Sequence, residues 1–158
     1  MRTPLVLVIP VLLLVSLGAG CAPPTPESWT RHSMAGGAYS LALPSGVRCV
    51  PLQGIDSDVA QCEGDGLRLT FDWGTYGGVP TGDVETERVG GREVRFQREE
   101  DGFVAGFVVP PVDHGDGTVS PADALVVHAE CRAEAACETA RGIVRTARLR
   151  TTRARHEP

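Results

Sequence analysis

The chain has 158 residues, fifteen arginines, no lysine, twenty Asp and Glu, and a formal net charge of −5. Charge is uneven: residues 21–140 hold eight Arg against nineteen Asp and Glu, a net of −11, whereas residues 141–158 hold six Arg and one Glu, a net of +5. The acidic body argues against a nucleic-acid partner, which needs a basic footprint, and the length allows one domain with a real core.

Residues 1–20 read as an export signal. Arg2 gives a positive start, and Leu5 to Leu17 form an apolar run broken only by Pro10 and Ser16. As a helix at about 1.5 Å per residue, this run would span roughly 20 Å, short of a hydrocarbon core of about 30 Å. A cleaved signal peptide therefore fits better than a permanent transmembrane helix. Gly18, Ala19 and Gly20 lead directly into Cys21, and the stretch resembles the lipobox of bacterial lipoproteins. That resemblance implies a Cys21 lipidated at sulfur, made the new N-terminus and acylated there too, with palmitate as the expected chain. The leucine usual three residues before the cysteine is here four before it, at Leu17, so an ordinary cleaved signal is the alternative.

Residues 21–37 carry the cysteine and a tether, APPTPESWTRHSMAGG, rich in proline, small and polar residues. Trp29 is expected to dock on the domain, as so large an apolar residue does. One globular domain is expected over residues 38–150. Tyr39, Leu41 and Leu43 alternate with Ser40 and Ala42, the period of a short strand. Pro44-Ser45-Gly46 turns the chain, Val47–Val50 runs as the next strand, and Pro51 stops it. Gly54 to Gly66 reads as an acidic loop. In Leu67–Trp73 apolar and polar residues alternate without a miss, so Leu67, Leu69, Phe71 and Trp73 face a core and Arg68, Thr70 and Asp72 face water.

After a loop from Gly74 to Asp83, Val84–Val89 and Glu93–Arg98 flank a Gly90-Gly91 hairpin. Phe103–Val109 follows, then Pro110-Pro111, a polar loop to Asp123 and a buried strand at Ala124–Glu130. From Ala133 the period becomes helical, with Ala136, Cys137, Ala140, Ile143, Val144 and Ala147 in one stripe. Gly142 costs that helix about 1 kcal/mol relative to alanine unless it permits a close approach. The expected class is α+β: a single antiparallel sheet with a C-terminal amphipathic helix packed on one face. The basic end reads as a cationic helix C-terminus followed by a disordered tail over residues 151–158. Contact with anionic head groups or phosphates is the alternative reading of that charge.

Besides Cys21 there are Cys49, Cys62, Cys131 and Cys137, an even set in an exported chain. Three pairings are open, and local closure as Cys49–Cys62 and Cys131–Cys137 is expected because short loops close easily. Structural zinc usually takes close pairs such as C-x-x-C, which this sequence lacks.

Four histidines invite a catalytic reading. His32 falls in the tether and His156 in the tail, where neither is held for catalysis; His128 falls in the last strand. His114, in Asp113-His114-Gly115-Asp116-Gly117, has the groups for acid–base or metal chemistry, yet the string is also a good turn sequence. Asp56, Asp58, Glu63 and Asp65 lie in the acidic loop, but Gln61 stands where an EF-hand needs glycine. No phosphate-binding, metalloprotease or nucleophile-elbow motif is present. The sequence therefore points to no catalytic residue, no cofactor and no metal.

Three stretches resemble small bacterial envelope lipoproteins, some with a PsbP-like α/β/α sandwich: Tyr39-Ser40-Leu41-Ala42-Leu43-Pro44-Ser45-Gly46, Val89-Gly90-Gly91-Arg92, and Ala140-Arg141-Gly142-Ile143-Val144-Arg145-Thr146. They cover under a quarter of the mature chain and transfer no functional residue. The expectation is a lipid-anchored protein of the cell envelope, on the periplasmic side of an outer membrane if the cell has one. It would be non-enzymatic, held to the membrane through Cys21, and would bind a protein partner or support an assembly, with no nucleic acid. Alternatives are an acidic inhibitor of a basic hydrolase and a small enzyme using the His114 loop.

Overall fold

The computed structural model describes residues 26, 28–74, 78–113, 119–120 and 123–150. Numbered along the chain, its strands begin with β1 (Thr30–Met34), β2 (Tyr39–Leu43), β3 (Arg48–Leu52), β4 (Ser57–Gly64), β5 (Leu67–Gly74) and β6 (Glu85–Val89). Then come β7 (Arg92–Glu99), β8 (Gly102–Val108), β9 (Val112–Asp113), β10 (Val119–Ser120), β11 (Ala124–Cys131), helix α1 (Glu134–Arg145) and β12 (Arg148–Leu149). Cys21 and the signal stretch lie outside the described residues, as do His114, Asp116, His156 and the tail from residue 151.

The protein is mostly antiparallel β with one α-helix among the described residues. Seven strands form the main sheet in the order β3-β4-β5-β11-β8-β7-β6; β1-β2-β12 form a smaller sheet, and β9 and β10 a short ribbon. The single sheet expected from the sequence is thus corrected. Width gives the physical reason. Seven strands about 4.8 Å apart span roughly 29 Å, and a helix about 10 Å wide covers only a third of that. The small sheet supplies the rest of the cover: Tyr39 of β2 sets its ring 6.2 Å from Phe71 and 5.9 Å from Trp73.

Between these layers lies the core. Leu41, Leu43, Leu69, Phe71, Phe96, Phe103, Phe107, Leu125 and Val127 are buried there, closed by Ala140, Ile143 and Val144 of α1. The helical stripe read from the sequence is the buried face, as expected. Trp29 docks as expected too, against this core and over Gly142. Thr146 seals the helix end: its Oγ1 donates to the Ile143 carbonyl at 2.7 Å and accepts from the Ala42 N–H at 2.8 Å.

Four local readings change. Thr30–Met34, placed in the tether, pairs along all of β2 from Thr30–Leu43 to Met34–Tyr39. Pro51 does not end its strand, because β3 is an edge and an edge tolerates a missing donor. Most of the expected acidic loop is β4, an inner strand whose Ala60 and Cys62 are buried while Asp58 and Glu63 are exposed. The polar loop before Asp123 contains β9 and β10. The outer face of the main sheet is also drier than its alternation implied: Val79 packs with Val104, Ala124 and Val126, lying with Pro80 over Gly106.

Candidate functional site

The edge of the main sheet at β3 displays apolar side chains. Val50 is 54% exposed, Leu52 43%, and Ile55, in the turn beyond, 98%. Single exposed apolar residues are ordinary; three within six positions on one edge are a surface feature. Their placement follows from register. Val50 stands opposite Gln61 and Leu52 opposite Val59, while Cys49 and Pro51 stand opposite Cys62 and Ala60 on the core side.

The same register controls what can bind. The Cys49 and Cys62 Cα atoms are 4.0 Å apart, the short spacing of a non-hydrogen-bonded antiparallel pair. Pro51, two residues on, shares that phase, so the donor it lacks would have pointed away from β4 toward solvent. The free edge therefore offers a carbonyl without its matching N–H, which discourages an added strand. Side chains, not backbone, are what this edge presents.

Beside the edge runs a groove of about 420 Å³ between β1–β2 and the core-side face of β3–β4, lined by Met34, Tyr39, Cys49, Pro51 and Ala60, with Asp58 at its margin. Burial, and after it the charges of Asp58 and Asp72, push the Tyr39 phenol well above its ordinary value. Tyr39 is thus a permanent neutral wall. A carboxylate beside apolar and aromatic groups suits a segment that is itself apolar with a cationic head.

Elsewhere the residues singled out in the sequence serve the fold or stand apart. The disulfides are Cys49–Cys62, bridging β3 to β4, and Cys131–Cys137, bridging β11 to α1; this is the expected local closure. His32 is exposed on β1 and His128 exposed on β11, far from each other in the topology. Asp56, Asp58, Glu63 and Asp65 are spread over β4 and its two turns. Glu63 takes a 2.6 Å hydrogen bond from Arg68, which also reaches Glu130 at 3.3 Å. Those hydrogen bonds lower the Glu63 carboxyl and raise Arg68, though at such exposure the pair adds little stability. Among the described residues no group of three or more His, Cys, Asp and Glu is placed to hold a metal ion. None of their helices is long and apolar enough to cross a membrane.

Sequence reasoning missed the edge surface. Its one readable signal was Val50 and Leu52 flanking Pro51, with Ile55 isolated between Gly54 and Asp56. No family model matches the chain, and no curated protein matches it. A crystal structure from Bacteroides thetaiotaomicron is similar at a TM-score of 0.43 and 12% identity, over 79% of this chain and 50% of that one. The chain spans half the length of that protein.

Proposed function

We propose that this is a lipid-anchored protein of the bacterial cell envelope that acts by binding a protein partner rather than by catalysis. The observation that carries the binding is the exposed apolar edge of Val50, Leu52 and Ile55 beside the Asp58 groove. The anchor rests on the lipobox resemblance at Cys21, and two acyl signals on one residue suffice for stable attachment. Asp58 and the net −11 of residues 21–140 favour a cationic partner, which also supports the second reading, an inhibitor of a basic hydrolase.

A photo-crosslinking residue at position 55, compared in cells with one at Arg88 on the opposite edge, tests the surface. One discrete adduct from position 55 alone, lost in a Leu52→Asp chain of unchanged melting temperature, is the expected result. Equal adducts from both positions, or none from 55, would remove this edge from the proposal. Intact mass of the wild type and of Cys21→Ser tests the anchor separately: no acyl mass on the wild type refutes it.

A further inference from the structure

Strands β1, β2 and β12 contain no acidic residue, yet they carry Arg31, His32 and Arg148, with Arg150 just beyond. Register sorts these side chains. Ser33, Ser40 and Arg148 form one row and Arg31 faces Ala42, so Arg31 and Arg148 alternate away from the core-facing Tyr39, Leu41 and Leu43. Arg31, Arg148 and Arg150 are all exposed. Arg31 is fixed in place: its Nη1 donates to Ser40 Oγ and to the Thr146 carbonyl, each at 3.1 Å. Burial and then the positive charge of Arg148 hold its guanidinium below the ordinary value. By contrast Arg68, Arg95, Arg141 and Arg145 each sit against a glutamate.

Position completes the case. Trp29 is packed over Gly142 and leads directly into β1. Counting back to Cys21 leaves eight residues, which extend at most about 28 Å. An acyl group at Cys21 would therefore hold the side of the molecule that carries Trp29, α1 and β1 near the bilayer. The acidic remainder of the body would be turned away by the same surface potential.

We infer that the outward face of the β1-β2-β12 sheet docks on anionic lipid head groups, with Arg31, Arg148 and Arg150 meeting their phosphates. The inference takes its setting from the proposed anchor, but its test does not need the acyl chain. The exported Cys21→Ser protein is mixed with vesicles of equal phosphatidylglycerol and phosphatidylcholine, or of phosphatidylcholine alone, and floated at low and high salt. Binding to the anionic vesicles only, lost at high salt, is expected. Arg148→Gln with Arg150→Gln should weaken it roughly 25-fold, at about fivefold per arginine, while Arg88→Gln, on the face of β6 that alternates away from α1, leaves it unchanged. Because Arg31 also holds the Thr146 carbonyl, the double variant avoids it, and its melting temperature checks the fold. Equal binding to both vesicles, binding to neither, or no loss in the double variant overturns the inference. Equal avidity for a duplex oligonucleotide would also overturn it, by making the face a general polyanion surface.

Discussion

Trp29 and Gly142 are a matched pair: a Cβ on residue 142 would stand 3.2 Å from the indole Cη2. The glycine weakens α1 locally and in return lets the segment before β1 lie flat on the helix. A double-mutant cycle reads this out. In a Trp29→Ala background Gly142→Ala should stabilise by about 1 kcal/mol, the helix-propensity gain. With Trp29 present the gain should shrink by at least about 0.5 kcal/mol, as contacting residues couple. Identical effects in both backgrounds would mean that the indole does not press on the helix.

The two disulfides differ in loop length, with separations of 13 and 6 residues. In the chain-entropy model the longer loop is worth about 3 kcal/mol and the shorter about 2.4 kcal/mol. Denaturant unfolding of Cys49→Ala/Cys62→Ala and Cys131→Ala/Cys137→Ala should show losses in that order. A larger loss from the second pair would show that loop length does not set the order of the two bridges.

Glu87 of β6 accepts two hydrogen bonds from Arg145, 2.9 Å from Nε and 2.7 Å from Nη2, with the side chains 23% and 27% exposed. Those hydrogen bonds hold its carboxyl below the ordinary range against the upward push of burial. A folded value below the unfolded one gives stability that is present above the unfolded value, about 4.3, and lost as pH falls through the folded one. Melting temperature followed from pH 7 to pH 3 should fall on the acid side. Glu87→Gln should flatten that limb and cost about 1 kcal/mol at neutral pH. An unchanged acid limb in Glu87→Gln would assign it to other carboxylates.

Asp72 presents a buried Oδ1 that finds no hydrogen-bond partner among the described residues. Its cross-strand neighbours are Val59 and Val126. An acceptor stripped of water without a partner costs about 1 kcal/mol or more, so Asp72→Val should raise stability by about that amount in chemical denaturation. A loss would show that the carboxylate is held by something its surroundings do not reveal.

Where burial forced a period, the chain could be read directly. Leu67, Leu69 and Phe71 alternate because one face of β5 must be dry, and Ala136, Ala140, Ile143 and Val144 repeat helically because one stripe of α1 must be. Short loops likewise made both cysteine pairings legible. β4 hid because its buried side consists of Ala60 and Cys62, which are small and surrounded by Asp, Gln and Glu. β1 hid because TRHSM contains no apolar alternation; its order comes from backbone pairing to β2. The edge surface hid for a related reason: whether Val50 and Leu52 are covered depends on what lies beside β3, and no strand among the described residues does.

Strand β11 is the last long strand among the described residues and the middle of the main sheet, between β5 and β8. Until residues 124–131 emerge, the preceding chain can make only two three-stranded half-sheets, β3-β4-β5 and β6-β7-β8, each with an open inner margin. Those margins have no bond to each other; the late strand is their common keystone. Synthesis from the N-terminus must therefore leave both halves waiting, and closure joins partners fifty or more residues apart in the β5–β11 pairing. Such distant contacts slow folding and expose unpaired edges on the way. A chain cut short before Ala124 would lose not one strand but the seam between its halves.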